Sequence, residues 1–325
     1  MLYNADDIRT RFEEFLQGLD YSHEPDSLYE PVRYVLSSGG KRLRPVFLLM
    51  ATNLFSDDIG NAFKAAASME ILHNFTLLHD DLMDNADMRR GKPTVHKRWN
   101  GNTAILSGDV MTMIACRYLS DIEEQHRKQV MDIALDTFIG ICEGQMYDMD
   151  FEKRDDVTAD EYIEMIRLKT SILFAASLKA GAVLGDATES DASLLYHFGE
   201  KFGLAFQLQD DLLDVYGDPL VFGKKIGGDI LSDKKTYLYI SARARAGYKE
   251  NRELDKWALY EGPDGQAKID GVRSVYDSLH VRELSESLID SLFLEATAIL
   301  DKVSVPEERK TVLREYVNGL MKRGK

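Results

Sequence analysis

The chain has 325 residues, room for one large domain or two ordinary ones and ample for a sizeable core. Hydrophobic residues make up 44% and charged residues 29%, a globular composition that excludes a disordered chain. A net charge of −15 excludes a nucleic-acid surface, which needs a basic stripe, but leaves open a phosphorylated small molecule held by a local cluster of bases.

Apolar residues recur with a 3.6 period and strand-like alternation is scarce, so the expected fold is all-α. In chain order the pattern predicts helices over 5–17, 27–37, 45–55, 61–84, 103–120, 126–150, 159–185, 189–216, 234–247, 280–302 and 306–322. Thr158 and Pro306 sit where helices should start, with acids following in the first turn. All seven prolines are expected near helix beginnings or in loops, none at a helix centre. The stretch 249–279 is polar and Gly-interrupted, so the bounds of its helices are not marked by the pattern. No low-complexity linker divides the chain, so 1–325 reads as one domain.

The first motif along the chain is Ser38-Gly39-Gly40-Lys41-Arg42-Leu43-Arg44-Pro45. Paired glycines permit a tight backbone, and three bases precede a helix opening at Pro45, a loop suited to an anion. Leu77-Leu78-His79-Asp80-Asp81-Leu82-Met83-Asp84 follows, and Gln207-Leu208-Gln209-Asp210-Asp211-Leu212-Leu213-Asp214 echoes it. Each is Asp-Asp-x-x-Asp ending an apolar helix, so Asp80 and Asp84 share a face, as do Asp210 and Asp214. Acids crowded at a helix C-terminus repel one another and oppose the dipole, and among apolar flanks they call for a cation. Oxygen-only ligands suit Mg²⁺, which takes one or two carboxylates and completes its shell with water and phosphate oxygens. Bases accompany the acids: Arg89, Arg90 and Lys92 after the first cluster, Lys224, Lys225, Lys234 and Lys235 after the second. Lys169-Thr170 lies in an apolar helix where an unpaired lysine would be costly. Only Cys116 and Cys142 are present, without metal-ligand spacing, which suits a reducing compartment. The N-terminus has no apolar core of signal-peptide length, and no run reaches the ~18 apolar residues of a membrane span. A cytoplasmic protein is expected.

Together these motifs resemble the trans-polyprenyl (prenyl diphosphate) synthase family, and the short-chain farnesyl and geranylgeranyl diphosphate synthases within it. Residues 38–45 resemble its Gly-Gly-Lys-x-x-Arg-Pro motif, 80–90 its first Asp-rich motif with paired arginines, and 207–214 its second. Phe222-Gly223-Lys224 and Gly227-Gly228-Asp229-Ile230 also fit. The resemblance implies a single bundle of ten or more helices around a central apolar cavity, with the two Asp-rich elements facing each other. It implies that Lys41, Arg44, His73 and Arg90 bind isopentenyl diphosphate without metal. Asp80, Asp84 and Asp210 would ligate Mg²⁺, three ions with substrate bound, with Asp81, Asp211 and Asp214 as ligands or their supports. Arg89, Lys169, Thr170, Gln207, Lys224 and Lys234 would hold the allylic diphosphate, dimethylallyl, geranyl or farnesyl, with Lys225 an alternative to Lys224. On its own, His73 on an apolar helix reads as a hydrogen-bonded core residue; only the motif match makes it a ligand.

The implied chemistry is ionisation, condensation and elimination in a water-excluding site, with no side-chain nucleophile. A terpene cyclase would carry an Asn/Ser/Glu-type second motif, and a non-catalytic subunit would usually lack one Asp cluster. A di-iron bundle would need paired Glu-x-x-His motifs, for which Glu70-x-x-His73 and Glu123-x-x-His126 are the candidates. Phe75, five residues before Asp80, matches the position where short-chain members carry an aromatic floor, and Thr76 beside it is small. That pair leads to an expected product of fifteen to twenty carbons, twenty slightly favoured. A floor built from residues 103–120, such as Met113, is the alternative. The family is usually homodimeric.

Overall fold

The computed structural model describes residues 2–218, 226–260 and 262–322. Its helices are α1 (Ala5–Gln17), α2 (Asp26–Leu36), α3 (Leu43–Phe55), α4 (Phe63–Met83), α5 (Val95–Arg98), α6 (Gly101–Ser120), α7 (Glu124–Phe151) and α8 (Ala159–Ile166). There follow α9 (Ile172–Leu184), α10 (Glu189–Tyr216), α11 (Gly228–Leu231), α12 (Tyr237–Arg245), α13 (Tyr248–Ala258), α14 (Gly265–Ser278), α15 (Val281–Leu300) and α16 (Glu307–Met321). The fold is all-α, as the 3.6 period predicts. Two strands, β1 (Met88–Arg89) and β2 (Lys92–Pro93), add one small antiparallel hairpin. Among the described residues no helix is long and apolar enough to cross a membrane.

Two expectations about local structure need correction. Pro31 lies in the middle of α2, not at its start. The missing N–H leaves one carbonyl of the preceding turn without its helical partner, and burial of the ring helps offset that cost. The helix expected over 159–185 is broken by a π-helical turn, Arg167–Ser171, between α8 and α9. By contrast, Thr158 does cap α8, in a capping box closed by Glu161.

The chain's contacts gather into two compact units. The first comprises Met1–Asp136, Ala176–Leu195 and Ser304–Leu313. Its centre is α3, apolar on every side and buried from Pro45 to Leu54. α3 packs against α1 and α4, and α4 runs beside α6. α9 presses onto α3 so closely that a Cβ at Gly181 would lie 2.0 Å from the Leu48 carbonyl oxygen. Thr52 Oγ1 donates to the Gly181 carbonyl there, at 2.9 Å. The second unit comprises Thr137–Ala175, Tyr196–Val303 and Arg314–Lys325. Phe174, Phe198, Phe202 and Phe206 interlock in it, Phe174 meeting Phe202 edge-on at 5.5 Å. Each such ring contributes on the order of 1.5–3 kcal/mol by burial.

Candidate active site

In the first unit, α4 carries His73, Asp80 and the Asp84 C-cap, and the β1–β2 hairpin carries the paired arginines. The hairpin turn is Arg90-Gly91, with φ of 51° and 74°. Positive φ at both central positions matches the twist of the flanking strands, and glycine takes the second at no steric cost. Arg89 Nε donates to both carboxylate oxygens of Asp81 at 2.8 Å, and Arg89 Nη2 lies 3.8 Å from Asp80 Oδ2. Asp81 is therefore the tie between α4 and the hairpin. Burial holds its carboxyl above the ordinary range, and the Arg89 guanidinium offsets that only in part.

Arg90 crosses to the basic loop, where it donates to the Gly39 carbonyl. Gly40 has φ 140°, and a Cβ there would meet the Arg90 guanidinium at 3.0 Å. The second glycine of the motif is thus required twice, by its backbone and by the arginine laid over it. The next arginine in the loop, Arg42, is buried in the left-handed region at φ 49°. It donates to Glu13 at 2.7 Å, to Glu70 at 2.6 Å and to the Leu36 carbonyl at 2.9 Å. Asn74 donates to the same Glu70 oxygen at 2.9 Å. With Arg42 and Asn74 both on it, Glu70 is a structural carboxylate and not half of an iron-binding pair.

His73 is half-buried, and its imidazole is held well below its ordinary range by burial and by the charges of Arg44, Arg90, Arg89 and Arg42. All four guanidinium groups act on it, although Arg42 is ion-paired to Glu13 and Glu70, and Arg89 to Asp81. Lys41 is exposed on the same loop. Beside the Asp81–Arg89 pair is an open recess lined by Tyr34, Ser38, Asn74, Asp81, Arg89 and Arg90 among others. Phe75 is half-buried and packs on His79, and Thr76 Oγ1 donates to the His73 carbonyl at 2.8 Å. Met113 is 62% exposed.

In the second unit, the π-turn places Lys169 and Thr170. Lys169 Nζ donates to Asp148 at 2.5 Å, and Thr170 Oγ1 donates to Gln207 Oε1 at 3.1 Å. Gln207 passes the chain on, its Nε2 donating to Asp211 Oδ1 at 2.9 Å. The other Asp211 oxygen accepts from the Tyr162 hydroxyl at 2.5 Å. Burial, with Asp229 nearby, pushes the Asp211 carboxyl up to about 8. Asp214 accepts from the Asp229 amide at 3.0 Å, and so anchors α11. In each cluster the second aspartate is therefore taken up by protein donors. Lys234 and Asp229 share a second recess with Tyr239 and Tyr276. Phe222, Gly223, Lys224 and Lys225 lie outside the described residues.

Sequence reasoning misses Tyr162, Asp148 and Asn74. Asp148 carries a faint signal, as an acid on a long helix one turn past Gly144. A Cβ on that glycine would lie 2.5 Å from the Lys169 amide nitrogen, so α7 and the π-turn meet there backbone to backbone. Among the described residues, no three His, Cys, Asp or Glu side chains converge into a metal cage. Mg²⁺ does not need such a cage, since it binds one or two carboxylates per ion and leaves the remaining positions to water and phosphate. Asp80 with Asp84, one helical turn apart, is such a pair.

The polyprenyl synthetase family matches residues 25–277. A geranylgeranyl diphosphate synthase of Methanosarcina mazei is 43% identical over 220 residues, 67% of this chain and 68% of that protein. A geranylfarnesyl diphosphate synthase of Natronomonas pharaonis is 39% identical over 290 residues, 82% of this chain and 83% of its own. A crystal structure of a geranylgeranyl pyrophosphate synthase superposes with a TM-score of 0.94 at 40% identity, over 99% of this chain and 100% of that one. With the family pattern spanning most of its length and the fold shared almost end to end, this chain belongs to the polyprenyl synthetase family.

Proposed function

We propose that this chain condenses an allylic diphosphate with isopentenyl diphosphate to give a prenyl diphosphate of fifteen to twenty carbons, twenty being favoured. The observation that carries the reading is the pairing on α4: His73 lies in the field of four arginines, and seven residues on, about 10 Å along the axis, Asp80 begins the acidic cluster. The basic loop and the hairpin thus bring a cationic seat for a metal-free diphosphate to His73, and the same helix carries carboxylates for a hard cation.

In this reading Lys41, Arg44, His73 and Arg90 bind isopentenyl diphosphate. Arg89, Lys169, Thr170, Gln207, Lys224 and Lys234 hold the allylic diphosphate, and the whole chain 1–325 works as one catalytic domain. Asp80, Asp84 and Asp210 would hold Mg²⁺, with Asp81, Asp211 and Asp214 supporting them. Bound Mg²⁺ supplies positive charge that makes diphosphate a better leaving group. The bases keep that diphosphate in place as the allylic C–O bond breaks, its electron pair leaving with oxygen. The isopentenyl double bond then forms the new C–C bond, and a proton passes to the departed diphosphate. The neutral state of His73 suits a hydrogen-bonding role beside the arginines, with no proton to contribute.

The name of one relative, a geranylgeranyl diphosphate synthase, supports a twenty-carbon product, whereas that of another, a geranylfarnesyl diphosphate synthase, denotes one five-carbon unit more. A homodimer in a reducing, cytoplasmic compartment fits the family and the free thiols Cys116 and Cys142. Product analysis with radiolabelled isopentenyl diphosphate and each allylic primer tests the activity and the chain length together. Asp80→Ala and Asp210→Ala should each reduce turnover by about 10²–10³ with the helical spectrum unchanged, since each is assigned to charge at the leaving group. Near-normal turnover of both variants at saturating Mg²⁺ would overturn the assignment.

A further inference from the structure

Phe75 does not stand alone on α4. One turn on, His79 meets it edge to face, the ring centroids 4.8 Å apart and the planes at 70°. Positions i and i+4 share a helix face, so the contact follows from the helix itself. The far side of His79 is fixed too. Its Nε2 lies 3.2 Å from the Ile105 carbonyl oxygen on α6, and since a carbonyl only accepts, that nitrogen carries the proton.

α6 makes room for this ring at one position. A Cβ on Gly108 would lie 2.2 Å from His79 Nε2 and 2.7 Å from its Cδ2. Gly108 is not among the positive-φ residues, so its backbone does not require glycine. A glycine inside a helix costs about 1 kcal/mol against alanine. The seat of the His79 ring is the structural reason for that glycine.

We propose that His79, seated on Gly108 and tied to Ile105, is a positioning residue that fixes the Phe75 ring and thereby sets product length. The proposal rests on the reading that Phe75 limits the growing chain. His79 touches no reacting atom in it. Without the imidazole edge, Phe75 regains its other rotamers and yields to a longer tail.

The test is chromatography of the dephosphorylated products from Phe75→Ala, His79→Ala, the double variant and Gly108→Ala, with the rate of the first condensation measured for each. His79→Ala should raise the ratio of longer product to wild-type-length product about two- to tenfold, the scale of one edge-to-face contact, with the first condensation unchanged. Gly108→Ala, which displaces the ring from its seat, should shift the ratio the same way. The double variant should match Phe75→Ala alone. If Phe75→Ala lengthens the product and either His79→Ala or Gly108→Ala does not, the positioning role is overturned while the Phe75 reading survives. Additive lengthening in the double variant overturns it as well, because His79 would then act without Phe75. No change in Phe75→Ala removes the Phe75 reading and the proposal together.

Discussion

Arg42 shows what a motif conceals at the scale of one residue. In the sequence it is the middle base of three in a loop suited to an anion. In the structure its guanidinium is spent inside, on Glu13, Glu70 and the Leu36 carbonyl, while Lys41 and Arg44 flank it. Its carboxylate partners lie 29 and 28 residues away, beyond the reach of any local pattern. Removing it leaves Glu70 buried without its cation, so Arg42→Ala should lose about 3–5 kcal/mol of stability, read from denaturant unfolding. A loss below about 1 kcal/mol would mean the network is dispensable. His73 is legible as a ligand only through the motif, because the arginines around it come from the loop and the hairpin. Its folded-state titration lies below the ordinary histidine range. The unfolded chain therefore takes up a proton as pH falls through ~6.5 while the folded protein does not, and this group costs stability on the acid side. Isopentenyl diphosphate, by neutralising the arginine field, should raise the His73 titration measured by NMR. A His73 that titrates normally in the free protein, or that ignores the ligand, would contradict the assigned site.

At the scale of elements, the long helices are plain from their period because each buries one apolar face or, as with α3, all of them. The hairpin is not: strands of two residues carry no alternation, and only the Arg90-Gly91 turn hints at it. The π-turn at Arg167–Ser171 contains no glycine or proline and is likewise silent in sequence. Its neighbours give the reason, since Cβ atoms at Gly144 and Gly203 would meet the Lys169 amide nitrogen and the Ser171 Cα at 2.5 and 2.7 Å. The basic loop offers a direct test of how two elements build one site. Gly39 and Gly40 both have positive φ, but only the space at Gly40 is filled by Arg90; at Gly39 nothing lies within 4 Å. Both alanine variants should bear backbone strain of roughly 1–2 kcal/mol. Gly40→Ala alone should also displace Arg90 and raise the Michaelis constant for isopentenyl diphosphate about tenfold or more, the worth of a charge-assisted contact. Equal Michaelis constants for the two variants would detach Arg90 from that substrate.

For the whole molecule, the acidic chain, net −15, sets bases close in sequence to its two Asp-rich clusters. The residues assigned to isopentenyl diphosphate, Lys41, Arg44, His73 and Arg90, all belong to the first compact unit. Those assigned to the allylic diphosphate include Lys169, Thr170, Gln207 and Lys234 of the second, with Arg89 from the first. The substrate assignment comes from the motif resemblance, whereas membership of the two units is not legible in the sequence, where both sets of bases are scattered along the chain; separate sets of bases should make the two substrates kinetically separable. Lys41→Ala and Arg44→Ala should weaken mainly the use of isopentenyl diphosphate, and Lys169→Ala mainly that of the allylic substrate. Each lost phosphate contact is worth on the order of 1.5–3 kcal/mol, or roughly ten- to a hundred-fold in the corresponding Michaelis constant. Lys169 carries a second consequence, because its ammonium neutralises Asp148, half-buried at 2.5 Å. Lys169→Ala should therefore cost stability as well, whereas Lys41, exposed at the loop, should cost little. Steady-state kinetics with each substrate varied in turn, beside unfolding curves for the three variants, decide the matter: a Lys41→Ala effect confined to the allylic substrate would reverse the assignment of the two sites.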